Sequence, residues 1–370
     1  MSHKLHNVQA LRGVAVLLVV LYHLGAAETK LWPFAEFKCF SLFGFGFGGV
    51  DLFFVISGFI ITWVNYDYLG DAGAIPRYLT RRLIRIYPLY LIVFAFIATT
   101  IYFELGIRGS VEYVPFVEHV KSLLLLPQHS GNAIVPDAWS LVFEVIFYAI
   151  FCVFMLTPPN RFVQLLAFWT ALVVGLNLAI GATESALVNV LLSPLNLEFI
   201  TGCLIGVVIQ KRLWVSPKVI IAIGLFWFAV GVVANAKDFA NFDLHWTRLI
   251  AFGLPSGLIV YACCVLEARD NNRLPTLFQK LGDASYSIYL THLTLFSAVR
   301  RYSHGSEVVF GPEYGALTHF AWNMLMLLAV FGGGIAVYHL IEVPLLKVLR
   351  SLFVGRRKPL LFAESTTGSS

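Results

Sequence analysis

The chain has 370 residues, of which 58% are hydrophobic and 13% are charged, and its mean hydropathy is +0.79. Soluble domains carry about 25% charged residues, so this composition excludes an ordinary soluble domain and predicts that most of the chain lies in lipid. The net charge of +5 does not indicate a nucleic-acid partner, because the positive residues follow the predicted membrane topology.

Ten apolar stretches are about 18 residues or longer, which is enough to cross roughly 30 Å of hydrocarbon. They lie near residues 8–26, 46–66, 86–104, 138–157, 162–181, 186–209, 217–236, 247–267, 284–300 and 317–340. The second is rich in glycine and the ninth carries many polar residues. The pattern predicts an all-α, polytopic integral membrane protein with about ten transmembrane helices.

The positive residues predict the orientation, since Lys and Arg concentrate in cytoplasmic connections. With a cytoplasmic amino terminus, 18 of the 26 Lys and Arg lie on the cytoplasmic side and 8 on the other. Both termini are therefore predicted to be cytoplasmic. We divide the chain into a membrane domain, 1–346, and a tail, 347–370, which is basic at first, then rich in Ser, Thr and Gly, and predicted to be disordered.

The first span contains Arg12 near one end and His23 near the other. Eleven residues of helix separate two side chains by about 16 Å and bring them to nearly the same face. Ionisable residues within spans tend to face a cavity or a pathway. The alternatives are a snorkelling anchor for Arg12 and a hydrogen-bonded packing residue for His23. Lys4 and the small residues at 25–27 also resemble a signal peptide, but we expect the span to be retained.

Three other spans carry polar residues in apolar surroundings. They are Asp51 and Ser57 in the second span, Trp139, Ser140 and Glu144 in the fourth, and Ser285, Tyr289 and His292 in the ninth. The last three follow i, i+4, i+7 spacing and share one helix face. Asp51 and Glu144 would each cost several kcal/mol if unpaired in hydrocarbon. We expect a His or Arg partner for each; a structural clamp between helices is the alternative function.

The connection before the third span is rich in arginine. Its sequence PRYLTRRLIRIYP, 76–88, contains Arg77, Arg81, Arg82 and Arg85. Guanidinium groups bind phosphate oxygens in a bidentate manner, so the cluster suits a polyphosphate. Anionic lipid headgroups or topology alone would explain it equally well.

The cysteines predict neither a disulfide framework nor a metal site. None of the five has C-x-x-C spacing or a nearby histidine at ligand spacing. Four of them lie in apolar runs, where a thiol behaves as a small hydrophobic group.

Six motifs occur in order along the chain: LRGVAVLLVVLYH, FFVISGFIIT, RRLIRIYP, WSLVFEVIFY, LGDASYSIYLTH and LIEVP. From about residue 7 to 346 they resemble the acyltransferase-3 family of integral membrane O-acyltransferases. The resemblance implies a ten-span enzyme of the bacterial inner membrane. Such an enzyme transfers an acyl group, commonly acetyl, from cytoplasmic acyl-CoA to a hydroxyl of a polysaccharide, a lipid-linked glycan or a glycosylated metabolite. Acyl-CoA is then a co-substrate, and no permanently bound cofactor is expected.

The resemblance also implies roles for individual residues. The family's arginine-to-histidine motif falls on Arg12 and His23, and its paired-arginine motif falls on Arg82 and Arg85. His23 would be the catalytic group, acting as a general base or as an acyl carrier. We expect Arg82 and Arg85, with Arg12, to hold the CoA phosphates.

The remaining polar residues are assigned from expected geometry. Glu144 is expected to orient His23, and His292 with Tyr289 to stabilise the oxyanion. The supporting polar residues are Asp51, Ser57, Trp139, Ser285 and Tyr289. Some family members carry an added extracytoplasmic domain, which this sequence lacks, so any second transferase is expected to be a separate periplasmic protein.

Two other classes of function fit a ten-span protein with buried ionisable residues. A secondary transporter of a small anionic or sugar substrate is often built from two related halves, but the sequence has no convincing internal repeat. A non-catalytic assembly or sensing subunit is the third interpretation, and it predicts that His23 can be replaced without loss of function.

Overall fold

The computed structural model describes residues 5–31, 38–103, 115–129, 133–237, 245–304 and 315–353. Every regular element in these ranges is helical. The helices are α1 (His6–Leu31), α2 (Gly48–Asn65), α3 (Ile75–Tyr102), α4 (Phe116–Leu123), α5 (Trp139–Met155), α6 (Pro159–Ile180), α7 (Ala186–Leu191), α8 (Asn196–Gln210), α9 (Pro217–Lys237), α10 (His245–Arg248), α11 (Leu254–Asp270), α12 (Thr276–Asp283), α13 (Ser285–His304), α14 (Ala316–Val337) and α15 (Val343–Phe353). Short 3₁₀ turns precede α2 and α5, and π-helical turns precede α11 and α15.

Within the described ranges, nine helical segments are long and apolar enough to cross a membrane. The all-α, polytopic prediction is therefore confirmed. The predicted ninth span is a helix, α13, but it is not among the nine. Its serines, two threonines, two histidines and two arginines lower its hydropathy, and Ser285, Ser287, Thr291 and His292 are buried inside the bundle. The cytoplasmic location of both termini stays a prediction.

The third span starts earlier than predicted, whereas the division of the chain at residue 346 stays a prediction. The third span begins with the arginine-rich segment, because α3 runs without interruption from Ile75 to Tyr102 through Pro88. The arginines thus lie in the first turns of a spanning helix rather than in a separate connection. Helix α15 continues through the boundary that we set at residue 346, and residues 354–370 of the predicted tail lie outside the described residues.

Helix α1 lies at the centre of the bundle. It packs against α2, α11, α12, α13 and α14, and its residues Val16 and Val20 are fully buried. In contrast, α6 and α9 lie at the periphery, where Phe168 and Phe226 are 64% and 73% exposed. Large apolar side chains on an outer face indicate contact with lipid. The first span is therefore surrounded by protein, which allows it to carry ionisable residues.

Two glycines allow a close contact between helices α2 and α8. A Cβ atom at Gly58 would lie much less than 3.0 Å from the carbonyl oxygen of Phe199. A Cβ atom at Gly202 would lie about as close to the carbonyl oxygen of Val55. Small residues at such crossings let helix backbones approach in membranes. Substitution at either position must push the helices apart.

We expect Gly58→Ala to lower the free energy of unfolding by about 1–3 kcal/mol, the usual cost of overpacking. The measurement is unfolding of the purified protein in detergent, followed by circular dichroism. Gly175→Ala is the matched control, because Gly175 lies on α6 and no described atom comes within 4 Å of the position that its methyl group would take. Equal stability of the two variants would contradict the close contact.

Candidate active site

A cavity of about 160 Å³ opens among α1, α2, α3, α5 and α13. Arg12, Arg82 and Arg85 all line it, together with one acidic residue, Glu144. The hydroxyl groups on its wall belong to Ser57, Ser140, Tyr148, Ser285, Tyr286 and Tyr289. Arg12 of α1 and Arg82 and Arg85 of α3 thus line one positively charged cavity.

Arg82 offers the most available donor in this cavity. Its guanidinium carbon lies 5.6 Å from the ring centroids of both Tyr78 and Tyr148. Its Nε atom is buried without a hydrogen-bond partner among the described residues. Arg12, by comparison, donates a hydrogen bond of 3.0 Å to Gln9 Oε1. Because a buried donor without a partner is costly, Arg82 is suited to bind an anionic ligand.

Arg85 faces the same cavity but is already engaged by a carboxylate. It forms an ion pair with Glu342, whose side chain is only 2% exposed. The other carboxylate oxygen of Glu342 accepts a hydrogen bond of 2.5 Å from Ser287 Oγ, and the Arg85 guanidinium lies 4.9 Å from the Tyr286 ring. Glu342 belongs to the LIEVP motif, but its role was not apparent from the sequence.

His23, Asp137 and His292 form a compact polar cluster next to the cavity. His292 Nε2 lies 3.3 Å from one carboxylate oxygen of Asp137, and His23 Nε2 lies 3.8 Å from the other. His23 Nδ1 and His292 Nε2 are 3.1 Å apart. The three residues come from α1, from the turn before α5 and from α13. Their side chains are 24%, 9% and 0% exposed, respectively, so His23 is the most accessible of the three.

Backbone carbonyl groups fix the orientation of both imidazole rings. The Nδ1 atom of His23 lies 3.0 Å from the carbonyl oxygen of Val19, and that of His292 lies 2.6 Å from the carbonyl oxygen of Tyr289. A carbonyl oxygen can only accept, so each Nδ1 carries the proton in the neutral ring. The Nε2 atom of His23 therefore carries a lone pair directed toward Asp137, as a general base requires.

Ser140 and Tyr289 connect the cavity to the cluster. Their hydroxyl oxygens are 2.7 Å apart, and each lies 3.2 Å from the backbone carbonyl oxygen of Asp137. Both residues also line the cavity. Ser140 and Tyr289 thus belong both to the cavity that the arginines line and to the surroundings of the histidine cluster.

The structure corrects one of the expected partnerships. Glu144 accepts hydrogen bonds from Ser57 Oγ, at 3.2 Å, and from the Tyr148 hydroxyl, at 2.5 Å. It thus lies on the cavity wall, whereas Asp137 is the carboxylate beside His23. The Nδ1 atom of His292 lies 2.6 Å from the Tyr289 carbonyl oxygen, and the expected role of His292 as an oxyanion donor stays a prediction.

The other supporting residues separate into two groups. Ser57, Ser285 and Tyr289 line the cavity. Asp51 lies elsewhere: it is fully buried and pairs with Arg248, whose Nη2 atom is 2.8 Å from Asp51 Oδ2. Trp139 covers this pair, with its ring 5.7 Å from the Arg248 guanidinium. The expected Arg partner for Asp51 is confirmed, and the pair links α2 to α10.

Sequence reasoning missed three residues, namely Asp137, Arg248 and Glu342. Asp137 lies only two residues before Trp139, where the motif WSLVFEVIFY begins. Its carboxylate next to that motif was a signal that the sequence contained. Arg248 and Glu342 are the long-range partners of Asp51 and Arg85. The surplus of charged groups within apolar runs was a signal that such partners exist, but it did not identify them.

The family model for the acyltransferase domain of type 3 matches residues 5–340. The exopolysaccharide production protein ExoZ of Rhizobium meliloti (strain 1021) is 32% identical over 317 residues, which cover 82% of this chain and 91% of ExoZ. Acyltransferase MdmB of Streptomyces mycarofaciens is 25% identical over 390 residues, covering 97% and 95%.

A Staphylococcus aureus (strain COL) protein named as an O-acetyltransferase is 26% identical over 333 residues, which cover 80% of this chain and 51% of that protein. No solved structure matches the chain at a significant level. The family match extends over most of the chain, including the arginines of the cavity and both histidines of the cluster. The chain therefore belongs to the acyltransferase-3 family and is a multi-pass membrane acyltransferase.

Proposed function

We propose that the protein transfers an acyl group, most simply acetyl, from acyl-CoA to a hydroxyl of a glycan or glycosylated acceptor, with His23 as the central catalytic residue. One observation carries the proposal: a lone pair on His23, held next to a carboxylate, adjoins a cavity lined by three arginines. The arginines suit an anionic donor, and the histidine suits activation of a neutral hydroxyl.

In this proposal the cavity holds the phosphate end of acyl-CoA. Arg82 would bind phosphate with the Nε group that has no partner among the described residues, and Arg12 would add a second positive charge. Arg85 would contribute less, because Glu342 already compensates its charge. The thiol end of the CoA would run along Ser140 and Tyr289 toward the cluster.

The chemistry follows from the position of the His23 lone pair. The acceptor hydroxyl oxygen attacks the thioester carbonyl carbon while His23 Nε2 takes the hydroxyl proton. The carbon–sulfur bond then breaks, the new ester is released, and the proton passes to the CoA thiolate. Asp137 stabilises the imidazolium that forms, and the hydroxyls of Ser140 and Tyr289 are the nearest donors for the oxyanion. Alternatively, His23 first accepts the acyl group itself and then transfers it to the hydroxyl.

The acceptor and the membrane are inferred from the relatives and the topology. The name of ExoZ refers to exopolysaccharide production, and that of the staphylococcal relative to O-acetyl transfer. A polysaccharide or lipid-linked glycan is therefore the acceptor class that we propose. We place the protein in the inner membrane of a bacterium, with the arginines toward the cytoplasm, where acyl-CoA is present. A separate periplasmic transferase would complete the modification where the acceptor requires it.

The direct test measures transfer of label from [¹⁴C]acetyl-CoA in membrane vesicles that contain the protein. We expect label in a glycan fraction with wild type, and none with vesicles from cells that lack the protein. Uptake of an unmodified sugar or anion without any label transfer would instead support the transporter interpretation.

Arg82→Gln is expected to raise the KM for acetyl-CoA by about 10- to 100-fold with little change in kcat. The reason is loss of charge-assisted hydrogen bonds to phosphate, each worth about 1.5–3 kcal/mol. The measurement is steady-state transfer at varied acetyl-CoA concentration. Arg77→Gln serves as the control, because Arg77 is exposed at the start of α3 and does not line the cavity. An unchanged KM for Arg82→Gln would exclude Arg82 from the CoA site.

A further inference from the structure

The His23, Asp137 and His292 cluster has the ligand set of a metal site. Their ligand atoms, one from each residue, all lie within 4.8 Å of one another. Imidazole nitrogen and carboxylate oxygen are common ligands of Zn²⁺, and three protein ligands with an open fourth position are frequent. The three residues come from separate parts of the chain, so no ligand spacing appears in the sequence.

The orientation of both rings matches that of metal-binding histidines. In such sites the other ring nitrogen of the histidine usually donates to a backbone carbonyl or a carboxylate, which fixes the ring. The Nδ1 groups of His23 and His292 make this contact with Val19 and Tyr289. His23 Nε2 and His292 Nε2 then both lie next to the Asp137 carboxylate, at 3.8 Å and 3.3 Å from its oxygens.

Charge and spacing favour a cation at this point. Asp137 is a 9% exposed carboxylate beside two imidazole rings, and a bound cation would compensate its charge. Tetrahedral Zn²⁺ with bonds near 2.0 Å separates its ligand atoms by about 3.3 Å. The observed separations from the Asp137 oxygens are 3.3 Å for His292 and 3.8 Å for His23.

We propose that His23, Asp137 and His292 bind one divalent transition-metal ion of the Zn²⁺ class, and that the bound ion inhibits acyl transfer. The metal occupies the lone pair of His23 Nε2, which then can neither accept a proton nor carry the acyl group. The inhibition rests on the proposed function, whereas the binding of the metal does not.

The test uses full-length protein purified in detergent with a histidine-free affinity tag and stripped of metal with a chelator. Co²⁺ is titrated first, because its absorption reports the ligands directly, and Zn²⁺ is then added as a competitor. We expect one Co²⁺ per chain, displaced by Zn²⁺. His292→Gln and Asp137→Asn are expected to weaken binding by at least about tenfold. His119→Gln is the matched control, because His119 is a partly exposed residue of α4 outside the cluster, and it should bind as wild type does.

Transfer activity is measured in parallel with and without Zn²⁺. We expect inhibition of the wild type by Zn²⁺ and recovery after addition of chelator. Absence of stoichiometric Co²⁺ binding, or binding that neither His292→Gln nor Asp137→Asn weakens, would overturn the site, and acceleration by Zn²⁺ would overturn its inhibitory role. A protein that binds Co²⁺ without any transfer activity contradicts the proposed function alone, whereas an active protein without Co²⁺ binding contradicts only the metal site.

Discussion

His23→Gln is expected to lower kcat for acyl transfer by about 10²- to 10⁴-fold, the usual contribution of general acid–base catalysis. Glutamine is close in size and can still donate to the Val19 carbonyl, so the fold should persist. The KM for acetyl-CoA should change little, because His23 is not among the residues that line the arginine cavity. The measurement is steady-state transfer with protein of matched expression and thermal stability.

Two further variants make this result specific. Asp137→Asn retains the shape of the side chain but removes the charge that stabilises the His23 imidazolium, so we expect a smaller loss of kcat than for His23→Gln. His119→Gln, a change on α4 outside the cluster, should leave kcat unchanged. Full activity of His23→Gln would refute the catalytic role and favour a transporter or a non-catalytic subunit.

The same protein can distinguish direct transfer from an acyl-histidine intermediate. If His23 carries the acyl group, incubation with labelled acetyl-CoA in the absence of acceptor should leave label on the wild-type chain and none on His23→Gln. If His23 acts only as a base, neither protein should retain label. Both mechanisms predict that His23→Gln loses kcat. This experiment therefore distinguishes between the two mechanisms and does not test the proposed function.

Arg85→Ala is expected to lower the free energy of unfolding by about 3–5 kcal/mol, the cost of leaving one partner of a buried ion pair alone. Glu342 would remain 2% exposed with only the Ser287 hydroxyl as a partner. The measurement is chemical unfolding in detergent, with Arg77→Ala as the control for loss of an exposed arginine on the same helix. Loss of transfer activity in Arg85→Ala would therefore follow from loss of structure.

A double variant tests this explanation. Arg85→Met with Glu342→Met removes both charges together, and replacement of a buried pair by apolar residues is often neutral for stability. We expect the double variant to regain most of the stability that Arg85→Ala loses. If Arg85→Ala is instead as stable as wild type and raises the KM for acetyl-CoA, Arg85 binds CoA directly, as the family resemblance implies, and the ion pair with Glu342 is dispensable.

The ionisable residues of the motifs were predictable, because the free-energy cost of placing a charged group in an apolar helix depends on that helix alone. An arginine or histidine inside an apolar helix is unfavourable wherever that helix packs, so Arg12 and His23 stood out in the sequence. Arg12 and Arg82 line one cavity, and the binding of a polyphosphate there stays a prediction. The start of α3 was predicted too late, because arginines lower the hydropathy of a segment even when protein, rather than lipid, surrounds them.

The partners of these residues were not predictable, because they are set by the packing of distant helices. His23 and His292 are 269 residues apart in the chain, and Arg85 and Glu342 are 257 apart. Asp137 lies in the turn before α5 and Glu144 in its second turn, on nearly the same face but about 10 Å further along the axis. The position of α5 along its axis relative to His23 therefore decides which carboxylate reaches the histidine.

The sequence by itself determined the membrane character, the helical class and the identity of the ionisable residues within the bundle, since length, hydropathy and charge are properties of each segment alone. Only the tertiary structure decided which carboxylate faces which base. An ion pair or a hydrogen bond forms only between side chains that packing brings within about 3–4 Å, and such proximity between helices is not encoded in the pattern of any single helix.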